Sequence, residues 1–146
     1  MKRKWVIVGK NNSGKTKLAD FIEKDSNNKK VSLDLYYRDK TIEIPGEYLE
    51  MNYLNNAIIM ISQNQALGTL FVVSADDEFI YPPNFAKSFT RICATVITKI
   101  DLVEEIKLKE IHEKALEIGT ENIFLVSNKT HEGLDELEEF IKGCED

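Results

Sequence analysis

The sequence predicts an α/β fold: a mostly parallel six-stranded sheet with one antiparallel edge strand and helices on both faces. Three observations predict it. Strand-length apolar runs alternate with longer stretches of helical spacing along the chain, the pattern that lays parallel strands side by side under crossover helices. Runs such as Trp5-Val6-Ile7-Val8 are apolar at consecutive positions, as strands covered on both faces are. The runs Val31 to Tyr37 and Lys40 to Ile44 meet at Arg38-Asp39, which reads as a hairpin and supplies the antiparallel edge.

Each element follows in order. After the first strand come polar residues and then Leu18, Ala19, Phe21 and Ile22 at helical spacing. Pro45-Gly46 breaks the second strand of the hairpin, and a helix is expected from about Leu49 to Ser62. Leu67 to Val73 reads as a strand, followed by a loop with Pro82-Pro83, a short helix near Phe85 to Phe89, and a strand from Ile92 to Ile97. Ile106, Leu108, Ile111, Ala115 and Ile118 mark a helix that Gly119 stops. Asn122 to Val126 is a strand, and Leu134, Leu137 and Ile141 mark a closing helix. There are no repeats, linkers or low-complexity tracts, and 146 residues suit one domain spanning 1–146.

Apolar residues make up 42% and charged residues 30%, enough core material to argue against intrinsic disorder. The formal charge is −6, and residues 132–146 carry seven acids against Lys142 alone, so that segment holds the whole surplus. It reads as the solvated face of the last helix. An acidic chain without a basic stripe is a poor grip for nucleic acid. Cys93 and Cys144 lie far apart in no ligand-like spacing, which excludes a disulfide scaffold or zinc site as the organising principle. The Met-Lys-Arg-Lys start is followed by only four apolar residues, Trp5 to Val8, whereas a signal peptide needs roughly 7–15. Nothing approaches the roughly 20 needed to span a bilayer, and no lipidation signal is present. A cytoplasmic protein with no membrane association is expected.

Gly9-Lys10-Asn11-Asn12-Ser13-Gly14-Lys15-Thr16 matches G-x-x-x-x-G-K-[ST] without departure, between an expected strand and an expected helix. A polyphosphate must sit against successive backbone N–H groups, here those running through Asn11, Asn12 and Ser13. Gly9 and Gly14 permit the approach that side chains would block. The following helix points its positive end at the anion. Lys15 supplies a mobile charge to the β- and γ-phosphates, and the Thr16 hydroxyl is placed to ligate Mg²⁺.

Glu43-Ile44-Pro45-Gly46 falls at a strand end, where nucleotide-switched proteins carry Asp-x-x-Gly: the acid steadies Mg²⁺ and the glycine N–H senses the γ-phosphate. Alone, the segment also reads as a Pro-Gly turn after an exposed acid. Glu43 is one methylene longer than Asp. Glu47 stands where many relatives of this architecture carry a water-orienting Gln; a carboxylate there accepts a proton from water yet repels the γ-phosphate, so hydrolysis is expected to be slow.

Thr98-Lys99-Ile100-Asp101 follows the strand Ile92–Ile97. A carboxylate at Asp101 accepts two hydrogen bonds from guanine N1–H and its amino group; adenine would leave it unsatisfied. Lys99 lays its stem over the base. Thr98 replaces the usual Asn and removes an amide that braces the phosphate loop. Ser127-Asn128-Lys129 offers a backbone N–H to the guanine carbonyl. Alone, Asp101 also reads as the N-cap of the next helix.

Phosphate loop, Pro-Gly element, [NT]-K-x-D and S-x-K in this order resemble the Ras-like P-loop GTPases, which implies a P-loop G domain. A closer resemblance is to the EutP/PduV family of ethanolamine and propanediol utilisation, small P-loop proteins of bacterial microcompartment operons. Its I-D-T-P-G-E-Y-L-E is here Ile42-Glu43-Ile44-Pro45-Gly46-Glu47-Tyr48-Leu49-Glu50. Pro82-Pro83-x-Phe85-Ala86, Val96 to Leu102 and Gly133 to Leu137 extend it over nearly the whole chain. The chain departs from the family at Glu43 and Ile44. A family Lys-Thr-Gln, read as a shortened first switch, aligns with Val31-Ser32-Leu33, where Ser32 alone keeps a hydroxyl for Mg²⁺. The resemblance implies GTP or GDP with Mg²⁺, ATP as the alternative nucleotide, and microcompartment shell or enzyme partners.

His112 and His131 lack partners at metal spacing, Trp5 and Cys93 read as core, and Tyr36-Tyr37 as a half-buried aromatic face. Three functions compete: a slow Mg²⁺-dependent GTPase using Lys15 and Glu47, a phosphotransferase to a small acceptor such as acetate, and a non-hydrolysing targeting or assembly module, which the acids at 43 and 47 favour.

Overall fold

A computed structural model describes residues 2–24, 30–32 and 34–145. β1 (Lys4–Val8) is the centre of one sheet, parallel to β4 (Thr41–Glu43) on one side and β5 (Ala66–Ser74) on the other. Val6 lies opposite Ile42 and Thr69. Beyond β5, β6 (Ile92–Thr98) and β7 (Asn122–Leu125) continue in parallel. Beyond β4, β3 (Leu35–Tyr37) runs antiparallel to it, and β2 (Lys30–Ser32) pairs antiparallel with β3. The order is β2-β3-β4-β1-β5-β6-β7. All six expected runs are present. The run Val31 to Tyr37 folds back at Asp34, whose φ of +67° lies in the left-handed region, and so yields two short strands in a sheet of seven.

The helices are α1 (Lys15–Glu23), α2 (Glu47–Glu50), α3 (Asn55–Gln65), α4 (Glu105–Leu116) and α5 (Leu134–Cys144). Strand alternation sends Trp5 and Ile7 to one face, against Leu18 and Ile22 of α1 and Leu137 and Ile141 of α5. Val6 and Val8 face the other way, into a layer with Ile58 of α3 and Ile111 and Ala115 of α4. Each such valine, leucine or isoleucine side chain, fully buried, stabilises the fold by about 1.5–3 kcal/mol. Consecutive apolar residues are therefore what a strand covered on both faces requires.

The helix expected from Leu49 to Ser62 is interrupted. α2 ends at Glu50, Met51 is extended (φ −99°, ψ 112°), and a 3-10 turn over Asn52–Leu54 leads into α3. Asn55 explains the break: its Nδ2 donates to the carbonyls of Tyr48 (2.9 Å) and Leu49 (3.2 Å), ending α2 and opening α3 with one side chain. Trp5 is buried as expected, and burial pushes the half-buried Cys93 thiol up to about 12. No helix among the described residues is long and apolar enough to cross a membrane. Because β1, β4, β5, β6 and β7 share one direction, the loops after their carboxyl ends open on a single edge, where α/β sheets place their ligands.

Candidate functional site

The loop from Gly9 to Gly14 joins the end of β1 to α1. Gly14 has φ +102°, and a Cβ there would also approach Thr98 Oγ1 to 3.3 Å, so this position suits glycine on two counts. Lys15 turns back into the loop: Nζ donates to Gly9 O (2.7 Å) and Ile44 O (2.9 Å). Burial lowers the Lys15 pKa below the ordinary lysine value, against the opposing pull of Glu43, Glu47 and Glu50. Ser13 is buried, and its Oγ has no hydrogen-bond partner among the described residues.

Thr16 Oγ1 donates to Glu43 Oε2 at 3.0 Å, while Glu43 Oε1 is buried without a partner among the described residues. The residue is only 7% exposed. A buried carboxylate oxygen left over beside a hydroxyl suits a hard cation such as Mg²⁺, which takes one or two carboxylates and completes its shell with water and phosphate oxygens. The added methylene of Glu43 still reaches Thr16. Ser32 closes β2 in backbone register with Leu35, but its side chain lies outside the described part of the structure, as does Leu33. Beyond Glu43, Gly46 N–H donates to Asn11 Oδ1 (3.3 Å) and Asn11 Nδ2 donates to Glu47 Oε1 (2.9 Å). The Asn11 amide, followed by Glu47's own backbone N–H, holds the exposed Glu47 carboxyl below the usual range.

On the other side, the buried Thr98 hydroxyl donates to Ser13 O at 2.6 Å. The brace expected to be lost with the usual Asn is thus supplied by the threonine hydroxyl instead. Lys99 Nζ donates to Asn12 O at 2.5 Å. Asp101 lies in a 3-10 turn, and Glu104 occupies the N-cap position of α4, so Asp101 does not cap that helix. Ser127 Oγ donates to Asp101 Oδ1 (2.6 Å) and accepts the backbone N–H groups of Lys129 (3.2 Å) and Thr130 (3.1 Å).

These segments enclose one cleft of about 870 Å³, within the roughly 300–1,000 Å³ of small-molecule sites. Asn11, Asn12, Gly14, Lys15 and Thr16 form its floor; Glu43 and Glu47 form one wall, and Thr98, Lys99, Asp101 and Asn128 the other. Gly9, Ser13, Gly46 and Ser127 stand behind these, through the contacts given above. Sequence reasoning missed Asp34 and Tyr36, which also line the cleft. Tyr36 sits opposite Glu43 across β3 and β4, so the hairpin register carries the signal that could have found it. It also missed Tyr81, whose one buried O–H lies within hydrogen-bond reach of Val72 O (2.8 Å) and Val8 O (3.1 Å) and so bridges β1 and β5. His112 lies in a separate surface groove beside α4, and His131 donates its backbone N–H to Ser127 O.

The fold is that of the P-loop G domains. The chain is similar to the G domain of the T. maritima FeoB iron transporter (TM-score 0.64, 19% identity, 99% of each chain covered). It is similar also to the FeoB G domain of Methanococcus jannaschii (TM-score 0.60, 18% identity, 99% of this chain and 98% of that one). It resembles translation elongation factor SelB of Methanococcus maripaludis (TM-score 0.64, 21% identity), covering 99% of this chain but only 33% of that longer one. More narrowly, the chain belongs to the ethanolamine utilisation–propanediol utilisation family, PduV-EutP, whose profile matches residues 1–143. It is 24% identical over 144 residues to the propanediol utilization protein PduV of Citrobacter freundii, covering 98% of this chain and 95% of that protein.

Proposed function

We propose that this chain is a single nucleotide-binding domain, residues 1–146, that binds guanine nucleotide with Mg²⁺, hydrolyses GTP slowly and serves ethanolamine or propanediol utilisation. One observation supports this above the others: the Gly9–Thr16 loop and the Ser127-held Asp101 line opposite parts of the same cleft. The loop N–H groups through Asn11, Asn12, Ser13 and Gly14 take the phosphates, and Lys15, with two of its three N–H bonds given to carbonyls, keeps one for a phosphate oxygen. Thr16 and Glu43 hold Mg²⁺, which when bound neutralises charge on the β- and γ-phosphates; Ser32 is the remaining candidate ligand. Gly46 N–H meets the γ-phosphate. Asp101 pairs with the guanine edge, Lys99 and Thr98 support the base side, and Ser127 and Asn128 supply the loop beneath the guanine carbonyl. Adenine would leave the carboxylate unsatisfied at a cost of about 1–3 kcal/mol.

Glu47 is the hydrolytic residue on this reading; the Asn11 amide favours its ionised form, and a carboxylate at this point repels the γ-phosphate, which suits slow turnover. The same bond favours a second reading, a module whose nucleotide only orders a docking surface. The setting is the cytoplasm beside bacterial microcompartments, with shell or enzyme proteins as partners.

Calorimetry with GTP, GDP, ATP and ADP, with and without Mg²⁺, tests binding; phosphate release and acetyl phosphate formation test turnover. GTP should bind more tightly than ATP and release inorganic phosphate. Lys15→Ala should weaken GTP by about 10- to 100-fold, the worth of one charged hydrogen bond. Acetyl phosphate would select a transferase, tight binding without product the module, and no heat with any purine nucleotide would overturn the reading.

A further inference from the structure

The segment carrying Gly46 is fastened to the phosphate loop by three hydrogen bonds: Lys15 to Ile44 O, Gly46 N–H to Asn11 Oδ1, and Asn11 Nδ2 to Glu47 Oε1. Asn11 makes two of them. Its amide orientation is fixed by its partners, because the flipped form would set its NH₂ against the Gly46 N–H and its oxygen against the Glu47 carboxylate. The two groups touch closely: a Cβ on Gly46 would fall 2.5 Å from Asn11 N and 2.7 Å from its Oδ1. Asn11 therefore occupies the donor that the nucleotide reading assigns to the γ-phosphate.

We propose that Asn11 is a positioning residue that sets discrimination between tri- and diphosphate, by holding the Gly46 N–H until a γ-phosphoryl oxygen displaces it. This rests on the guanine-nucleotide reading of the same cleft. A diphosphate has no group at this point and leaves all three bonds in place. A triphosphate must exchange Asn11 Oδ1 for its own oxygen at Gly46, and in doing so frees the amide that restrains Glu47. The competition opposes triphosphate binding by the worth of an ordinary hydrogen bond, and it couples arrival of the γ-phosphate to release of Glu47.

The test compares the full chain with Asn11→Ala and Asn11→Asp, using GDP and the β,γ-imido analogue of GTP in calorimetry with Mg²⁺. In Asn11→Ala the ratio of the GDP dissociation constant to that of the analogue should rise about three- to tenfold. Asn11→Asp keeps an acceptor for Gly46 but repels both Glu47 and the γ-phosphate, so its ratio should fall below that of the natural protein. Backbone amide exchange at Gly46 without nucleotide reads the contact alone: faster in Asn11→Ala, unchanged in Asn11→Asp. Retained binding of both nucleotides with an unmoved ratio overturns the role of Asn11 and leaves the nucleotide reading standing. Ratios that shift the same way in both variants, or equal Gly46 exchange in all three proteins, overturn it too. Failure of the natural protein to bind either nucleotide overturns the nucleotide reading and this proposal together.

Discussion

Asp101 owes its orientation to Ser127, a buried hydroxyl that also gathers two backbone N–H groups of its own loop. Asp101 lines the cleft, and changing its carboxylate to an amide reverses part of what it can recognise. Asp101→Asn should weaken GTP by about tenfold or more and strengthen XTP, since one lost hydrogen bond to a charged group is worth about 1.5–3 kcal/mol; competition between the two nucleotides measures it, and undiminished GTP affinity would remove Asp101 from the base site. That Lys15, Thr16 and Asp101 would line one cleft was legible in the sequence, because each belongs to a motif of short local spacing. The Thr98 brace was not, because its partner Ser13 lies 85 positions away and no local pattern records the contact. Asn11 was legible only as a member of the phosphate loop; its grip on Gly46 and Glu47 exists only once β1 and β4 lie side by side.

α1 is fixed to β4 at both ends. Its first turn meets the strand through Thr16 and Glu43, and its last residue, Glu23, is buried with its carboxylate accepting Lys40 N–H (3.1 and 3.0 Å) and the Thr41 hydroxyl (2.6 Å). Glu23 thus sets where β4 starts, at Thr41, and two residues later where Glu43 falls. Glu23→Ala should lower unfolding free energy in urea by about 1.5–3 kcal/mol, the range for a charged hydrogen bond lost from a buried site. A change under about 0.5 kcal/mol, the scatter of neutral surface substitutions, would deny it this function. Element types came through from periodicity, since helical and strand periods differ. The division at Met51 and the fold-back at Asp34 did not. The first turns on one Asn55 amide reaching backward to two carbonyls, the second on a single left-handed residue.

At the scale of the molecule, layering was readable because doubly apolar strands demand cover on both faces. Four of the seven acids of residues 132–146 (Asp135, Glu136, Glu138 and Glu139) fall on α5, where Leu137 and Ile141 face the core while Glu138 pairs outside with Lys24 (3.2 Å) and Lys142 (2.8 Å). Strand order was not readable, as it depends on which side of β1 each crossover takes. That order has a mechanical result. Thr98, the last residue of β6, and Lys99 just after it are stitched to the carbonyls of Ser13 and Asn12 within the phosphate loop. The cleft therefore has one frame instead of two halves, and a fragment seated at either end should stiffen the other. Guanosine should raise the affinity for pyrophosphate by about fivefold, at the low end of typical coupling between sites, and pyrophosphate should raise guanosine's by the same factor; paired titrations would show it. A pocket built on such a stitch would reward an intact nucleotide over the sum of its pieces.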